Sequence, residues 1–264
     1  MPTASPPPDA PPPAWDAGRL NAPHAQADKA ARVEEMFTAI APSYDLNNRV
    51  HSFGRDQAWR RATVRLADLR KGDRVADVAC GTGDLTLAFA DGLAAAGGGP
   101  PVIGVDFTYA MLPIAQRKAS GTRRDDPARF VHGDALALPL SDASVDVLSI
   151  AFGIRNVSDP AAALAEFARV LRPGGRLLIL EFTVPRNPVM RLGYRFYCGW
   201  LMPRTATLIS GDRSGAYRYL PRSVSTFASA ADLRGMMTRA GFGEVASSRL
   251  TFGIAACHIG VRAG

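Results

Sequence analysis

Hydrophobic and polar positions follow two rhythms along this chain. Short apolar runs at residues 75–79, 101–105, 129–132, 145–150 and 176–182 are long enough for buried strands and too short for helices. Between them the spacing turns helical, with Leu85, Leu87, Ala88 and Phe89 after the first run, then residues 108–118 and 160–171. Strands alternating with helices predict an α/β fold, a doubly wound, mostly parallel sheet whose ligands sit outside the carboxyl ends of the strands. Residues 229–240 read as a last helix, and residues 245–261 as an antiparallel hairpin closing the sheet.

The flanks read differently. Residues 1–27 hold Pro2, Pro6 to Pro8 and Pro11 to Pro13 with little to bury, so a disordered, partly extended tail is expected. From Asp28, Val33, Met36, Phe37 and Ile40 recur at helical spacing until Ala41-Pro42-Ser43 stops the helix; a second helix is expected around residues 59–69. These helices precede the first strand and form an N-terminal cap over the ligand mouth. Trp59 reads as ordinary packing. Past Glu181 the strand rhythm ends, and Val189, Leu192, Phe196 and Trp200, with Tyr197 and Leu201, recur at i, i+3, i+4 beside Arg191 and Arg195. Such an amphipathic helix packs on a core, walls a greasy pocket or touches a membrane surface.

Chemistry concentrates where the first strand ends. Asp77 lies in the strand, and Gly81 and Gly83 follow before the helix, so backbone can turn with positive φ and lie close to a ligand. A dinucleotide fingerprint wants a third glycine where Thr86 stands. The acid and the Gly-x-Gly turn instead resemble class I S-adenosylmethionine-dependent methyltransferases, with Ala79 in place of a frequent first glycine; an ordinary strand-to-helix turn is the alternative. Asp106 ends the second strand 23 positions after Gly83, placed to accept from both hydroxyls of a ribose. Asp134, at the third strand tip, is placed to accept from an adenine amino group with the Ala135 backbone beside the ring; a helix cap is its alternative role.

Composition narrows the setting. Lys and Arg outnumber Asp and Glu 31 to 24, a net charge of +7 that suits nucleic acid or an anionic membrane surface, although the arginines are scattered. Cys80, Cys198 and Cys257 are isolated, and His24, His51, His132 and His258 make no pair at ligand spacing, so neither a disulfide framework nor a metal site is expected. No apolar run approaches the roughly 18 residues of a membrane span, and no secretory signal is read, so a cytoplasmic protein, peripheral at the inner membrane face at most, is expected.

Four stretches carry a more specific resemblance: Tyr44-Asp45 with Asn48, Ser52, Gly54 and Trp59; Phe152-Gly153-Ile154-Arg155-Asn156-Val157; residues 169–177 through Glu181-Phe182; and Tyr217-Arg218-Tyr219-Leu220-Pro221 with Ser223 and Phe227. Together they resemble the ubiquinone/menaquinone biosynthesis C-methyltransferase family over residues 28–262. Departures are Asn47, where methionine or leucine is usual, Ala151, where some members use a serine, and Ala228, where a proline is usual. The resemblance implies a Rossmann-like class I methyltransferase with one domain over residues 28–264: a cap at 28–72, a cofactor-binding core at 73–182, a substrate-side insertion at 186–228 and sheet closure at 229–264. It implies S-adenosyl-L-methionine as cofactor, with Thr82 in the glycine turn, Asp106 at the ribose and Asp134 with Ala135 at the adenine; Asp77, Gly81, Gly83 and Ala151 complete the expected set. It implies C-methylation of a polyprenylated quinol, demethylmenaquinol in first place and a methoxy-polyprenyl benzoquinol as alternative. Arg155 is then the candidate for stabilising the phenolate, with a structural salt bridge as its alternative role, and Tyr44 the candidate for positioning or proton relay. Phe196, Tyr197 and Trp200 are expected along the prenyl tail. A transient membrane-surface contact is expected and no nucleic-acid partner, because the loop after the fourth strand lacks the Asn/Asp-Pro-Pro-aromatic sequence of base methylation. The oligomeric state is left open, a homodimer included.

Overall fold

A computed structural model describes residues 13–122 and 124–264. Its centre is a seven-stranded sheet made of β1 (Val75–Val78), β2 (Val102–Asp106), β3 (Ala128–His132), β4 (Val145–Ala151), β5 (Leu171–Phe182), β6 (Phe242–Leu250) and β7 (Ala255–Arg262), in the order β3-β2-β1-β4-β5-β7-β6. The first five strands are parallel, and β7 runs antiparallel between β5 and β6. The expected hairpin therefore closes the sheet with its second strand inside. The Pro173-Gly174-Gly175 turn persists as a bulge in β5, because Val145 pairs with Leu171 while Val147 pairs with Arg176.

Residues buried on one face of the sheet pack against α6 (Pro160–Val170) and α10 (Ala230–Arg239), with Phe167, Leu164 and Met237 fully enclosed. On the other face, α3 (Arg55–Leu66) and α4 (Asp84–Ala95) bury Trp59, Leu85 and Phe89. α5 (Leu112–Ser120) connects β2 to β3. This two-faced burial explains why β1 and β4 are apolar on both faces apart from the buried Asp77, Asp146 and Ser149.

A third core lies off the sheet. It joins α1 (Lys29–Ile40) to the insertion helices α8 (Met202–Ser210) and α9 (Ala216–Thr226), through Met36, Ile40, Ala206 and Tyr219. Trp15 belongs to it, completely buried and stacked on Tyr219 at 4.2 Å between ring centroids. Gly215, at φ +86°, lets the two segments meet, since a Cβ there would lie 2.4 Å from the Trp15 carbonyl oxygen. The expected disordered tail over residues 1–27 is thus corrected from Ala14 onward; residues 1–12 lie outside the described residues. Ala41-Pro42-Ser43 is also a brief 3-10 turn rather than a full stop, and α2 (Tyr44–His51) follows at once. After α7 (Pro188–Phe196) the chain widens into a π turn over Tyr197–Leu201 before α8.

Candidate active site

At the carboxyl ends of β1, β2 and β4, where the strand order reverses, a cavity of about 100 Å³ opens. Gly81, Asp106, Asp134, Ala135 and Ala151, five of the residues expected at the cofactor, line it together with Met111, Asn156 and Ser158. Its floor is left-handed backbone: Ala79 at φ +51°, Gly81 at +55° and Phe152 at +57°. Ala79 and Phe152 carry a Cβ there, a local strain of the kind found at ligand clamps. Gly153 permits the two strand tips to meet, because a Cβ at that position would lie 2.5 Å from the Ala79 Cβ.

Asp106 is buried, and its carboxylate is held by main chain: Gly81 N–H donates to Oδ2 (2.7 Å) and Thr108 N–H to Oδ1 (2.8 Å). Burial pushes its pKa above the ordinary carboxylate value against those two bonds. Each oxygen keeps a further lone pair, so the side chain can accept from a diol. Asp134 accepts from Leu136 N–H at 2.9 Å in a turn, with no helix following for it to cap, and it lines the cavity. Fixed acceptors flanked by Val78, Phe107 and Met111 fit an adenosine.

Three residues expected at the cofactor are placed elsewhere. Asp77 is buried between Ser149 Oγ and Thr86 Oγ1, which donate to it at 2.6 and 2.7 Å, and so ties β1 to β4 and to the start of α4. Burial raises its pKa to about 6 against those two bonds. Thr82 Oγ1 donates to Asp45 at 2.6 Å, a link to the cap that Lys118 joins. Gly83 backs onto Phe130, where a Cβ would come within 3.0 Å. Asp84 completes this knot: burial pushes its carboxyl up, but Arg60, Lys118 and Arg49 pull it down to about 2.

A second cavity, of about 470 Å³, continues from the first and shares Phe37, Tyr44 and Phe152 with it. Its walls come from α2, α3, α7 and α9, and include Trp59, Arg155, Phe182, Met190, Tyr194, Tyr197 and Leu220. Trp59 is packed as expected, its indole N–H donating to Thr251 Oγ1 at 2.8 Å. Tyr44, at the junction, has its phenol pKa raised by loss of water around it.

Arg155 makes the salt bridge weighed as its alternative role. It is 3% exposed, and its Nη1 donates to Glu181 Oε1 (2.7 Å) and to the Phe152 carbonyl (2.6 Å), while Nε reaches Ser223 Oγ at 3.3 Å. It also lines the second cavity, and Nη2 makes no hydrogen bond among the described residues. The sequence reading missed its supports. Lys29, buried in α1, donates to the carbonyls of Arg155 (2.9 Å) and Val157 (2.6 Å) and so pins this loop; burial lowers its pKa to about 8. Tyr219 donates to Asn156 Oδ1 at 3.0 Å. A lysine and a glutamate in apolar surroundings are the visible signal, but their partners are far away in sequence.

Of the three residues expected at the tail, only Tyr197 reaches the cavity. Phe196 and Trp200 stack on each other at 5.4 Å on the outer surface, 61% and 49% exposed. Gly193, Tyr194, Tyr197 and Cys198 face inward, and the apolar stripe of α7 faces out.

The strand order, the glycine turn and the acid at the second strand tip together define the class I methyltransferase fold. Solved structures with this fold include a SAM-dependent methyltransferase from Thermotoga maritima, at TM-score 0.60 and 20% identity over 87% of this chain and 99% of that one. Another, from Aquifex aeolicus, aligns at TM-score 0.54 and 17% identity over 81% and 92%. The chain belongs to the ubiE/COQ5 methyltransferase family, whose profile matches residues 25–262, and it is accordingly an S-adenosylmethionine-dependent methyltransferase. Its relatives include the demethylmenaquinone methyltransferase of Thermus thermophilus, 48% identical over 86% of this chain and all of that protein. The protein of the same name from Deinococcus radiodurans is 45% identical over 88% and 93%. The ubiquinone/menaquinone biosynthesis C-methyltransferase UbiE of Stutzerimonas stutzeri is 40% identical over 93% of each.

Proposed function

We propose that this protein methylates a ring carbon of a lipid-tailed hydroquinone, with demethylmenaquinol as the acceptor. The observation that carries the reading is the junction: a small cavity with fixed acceptors opens, past Tyr44 and Phe152, into a larger apolar one. The relatives at 48% and 45% identity bear the demethylmenaquinone name, which favours that acceptor over a benzoquinol.

Asp106 would hold the ribose hydroxyls, Asp134 and the Ala135 backbone the adenine, and the Gly81 turn the rest of the cofactor. When bound, the cofactor supplies an electrophilic methyl on a sulfonium. The acceptor carbon turns nucleophilic once the neighbouring hydroxyl is deprotonated, and a phenol near pKa ~10 needs help to ionise at neutral pH. Arg155 supplies it with Nη2 toward the oxygen, held in orientation by Glu181; a guanidinium stabilises the anion and takes no proton. Tyr44 orients the ring at the junction. Tyr197, Tyr194 and Met190 wall the path of the tail, where each buried CH₂ contributes roughly 0.8 kcal/mol.

The outer face of α7 gives the tail a place to come from. Val189, Leu192, Phe196 and Trp200 are exposed beside Arg191, Arg195 and Arg204, and Val189 and Phe53 belong both to this surface and to the cavity wall. An anionic bilayer suits that mixture. Among the described residues no helix is long and apolar enough to cross a membrane. Phe196→Glu is expected to reduce sedimentation with anionic phospholipid vesicles; unchanged sedimentation would remove the bilayer from the account.

The function is tested with methyl-labelled S-adenosylmethionine and a reduced, short-tailed demethylmenaquinol. The expected product carries one labelled methyl on the ring. Cofactor binding without transfer to this acceptor, but with transfer to a methoxy-polyprenyl benzoquinol, would replace the acceptor; transfer to neither would overturn the reading.

A further inference from the structure

Two polar side chains on one face of α2 each keep one buried atom without a partner among the described residues and have no part in the roles above. Asn47 is 3% exposed; its amide nitrogen donates to the Ser43 carbonyl at 3.3 Å, and its Oδ1 is buried without a partner among the described residues. His51, one turn further on, has Nδ1 3.1 Å from the Tyr197 hydroxyl, and its buried Nε2 also lacks a partner. Both residues line the second cavity. A buried polar atom without a partner destabilises the empty site, so a ligand that satisfies it gains correspondingly.

The hydrogen-bond pattern fixes what these atoms want. Tyr197 Oη–H donates to the His51 carbonyl at 3.1 Å, which leaves its oxygen to accept from His51 Nδ1–H. Nε2 of the neutral ring then carries the lone pair. Burial lowers the His51 pKa and favours that neutral form. One of the two Asn47 amide hydrogens goes to the Ser43 carbonyl, and the buried atoms left without a partner among the described residues, Asn47 Oδ1 and His51 Nε2, are both acceptors that call for a donor.

Helix geometry says where that donor lies. Asn47 and His51 are three and seven residues beyond Tyr44, on the same face of α2 and about 4.5 and 10.5 Å further along its axis. A hydroquinone carries hydroxyls at opposite ends of its ring. With one hydroxyl at the Arg155 and Tyr44 end, the other extends along α2 into this interval.

We propose that Asn47 Oδ1 and His51 Nε2 form a subsite in which one of the two accepts the hydrogen bond of the second, non-reacting ring hydroxyl, and which so selects the reduced hydroquinone. This deepens the function proposed above and rests on it. The quinone form, with a carbonyl in that place, offers no hydrogen to either atom and is disfavoured.

The experiment compares two acceptors with the same tail: the hydroquinone, and the monophenol that lacks the second hydroxyl. The wild-type KM for the monophenol is expected to exceed that for the hydroquinone by tenfold or more, a difference of about 1.4 kcal/mol. In Asn47→Leu and in His51→Phe the ratio should contract toward one, with His51→Gln retaining part of it through its own acceptor. Calorimetric binding of the cofactor product verifies that each variant is folded, and the ratio within a variant cancels any general loss of activity. A ratio near one in the wild type, or the wild-type ratio persisting in both variants, would overturn the subsite. Wild-type protein that methylates neither acceptor would overturn the function on which it rests.

Discussion

The two cavities meet at Phe37, Tyr44 and Phe152 but are built in opposite ways. The smaller is walled by backbone at strand tips, with positive φ at Ala79, Gly81 and Phe152 and an Asp106 carboxylate clamped by two main-chain N–H groups. The larger is walled by side chains on helices remote in sequence, held together by contacts such as His51 with Tyr197 and Trp15 with Tyr219. A wall of backbone fixed by a sheet is rigid and serves one invariant ligand. A wall of helix side chains can be retuned residue by residue, which suits a family whose members are named for different quinones. Changes in the first cavity should therefore act on cofactor binding, and changes in the second on the acceptor.

The strongest break in that separation is Arg155→Ala. It leaves Glu181, whose Oε2 already lacks a partner among the described residues, as a buried carboxyl without its cation. Removing one member of such a pair costs about 3–5 kcal/mol, so denaturant unfolding should show a large loss of stability together with loss of turnover. Replacing both, as Arg155→Met with Glu181→Leu, should recover most of the stability and none of the turnover. If the double variant methylates its acceptor, Arg155 serves the fold alone. Next in size is Asp106→Ala, which strands the Gly81 and Thr108 N–H groups and removes the acceptor for the sugar. At about 1.5–3 kcal/mol for a hydrogen bond to a charged group, cofactor affinity by calorimetry should fall by about 10–100-fold. A matching rise in acceptor KM would show that the two halves do not act separately.

How much of this is legible in the sequence follows the same division. The strand order and the acid at the β2 tip are readable because a buried parallel strand needs an apolar run and a tight turn needs glycine, both local requirements. The direction of a side chain within that stretch is not local. Asp77 and Thr82 flank the ligand in sequence, yet one turns to Ser149 and the other to Asp45. For α7, periodicity identifies an apolar stripe but not the medium it faces, since lipid and protein core favour the same residues. The stripe faces outward, and Tyr197 alone of the three expected tail residues turns in. Trp15 is hidden by its proline-rich neighbours, and its partner Tyr219 lies in the insertion. Lys29 and Asn156 likewise acquire roles only when α1 and α9 close over the loop of Arg155.

The smallest expected effect sharpens the distinction within the first half itself. Asp77 supports the glycine turn from behind and does not line the cavity, so Asp77→Asn should alter stability and leave cofactor affinity nearly unchanged. Its pKa is pushed up by burial from the ordinary 3.8 to about 6. The folded chain therefore binds this proton more tightly than the unfolded chain; the contribution is favourable below pH 3.8 and is lost as pH rises through about 6. At about 1.4 kcal/mol per pKa unit, the ionised carboxylate costs the folded state roughly 3 kcal/mol at neutral pH. Asparagine removes that cost but weakens the bonds from Ser149 and Thr86, at about 1 kcal/mol net for a typical bond, leaving a gain of about 1–2 kcal/mol at pH 7. Toward pH 4 most of that ionisation cost disappears while the weakened bonds remain, so the gain should reverse to a loss of about 1 kcal/mol. Unfolding midpoints measured at pH 4 and pH 7 check this: an equal difference between variant and wild type at both values would mean that Asp77 does not titrate between them, and weaker cofactor binding would return it to the wall of the site.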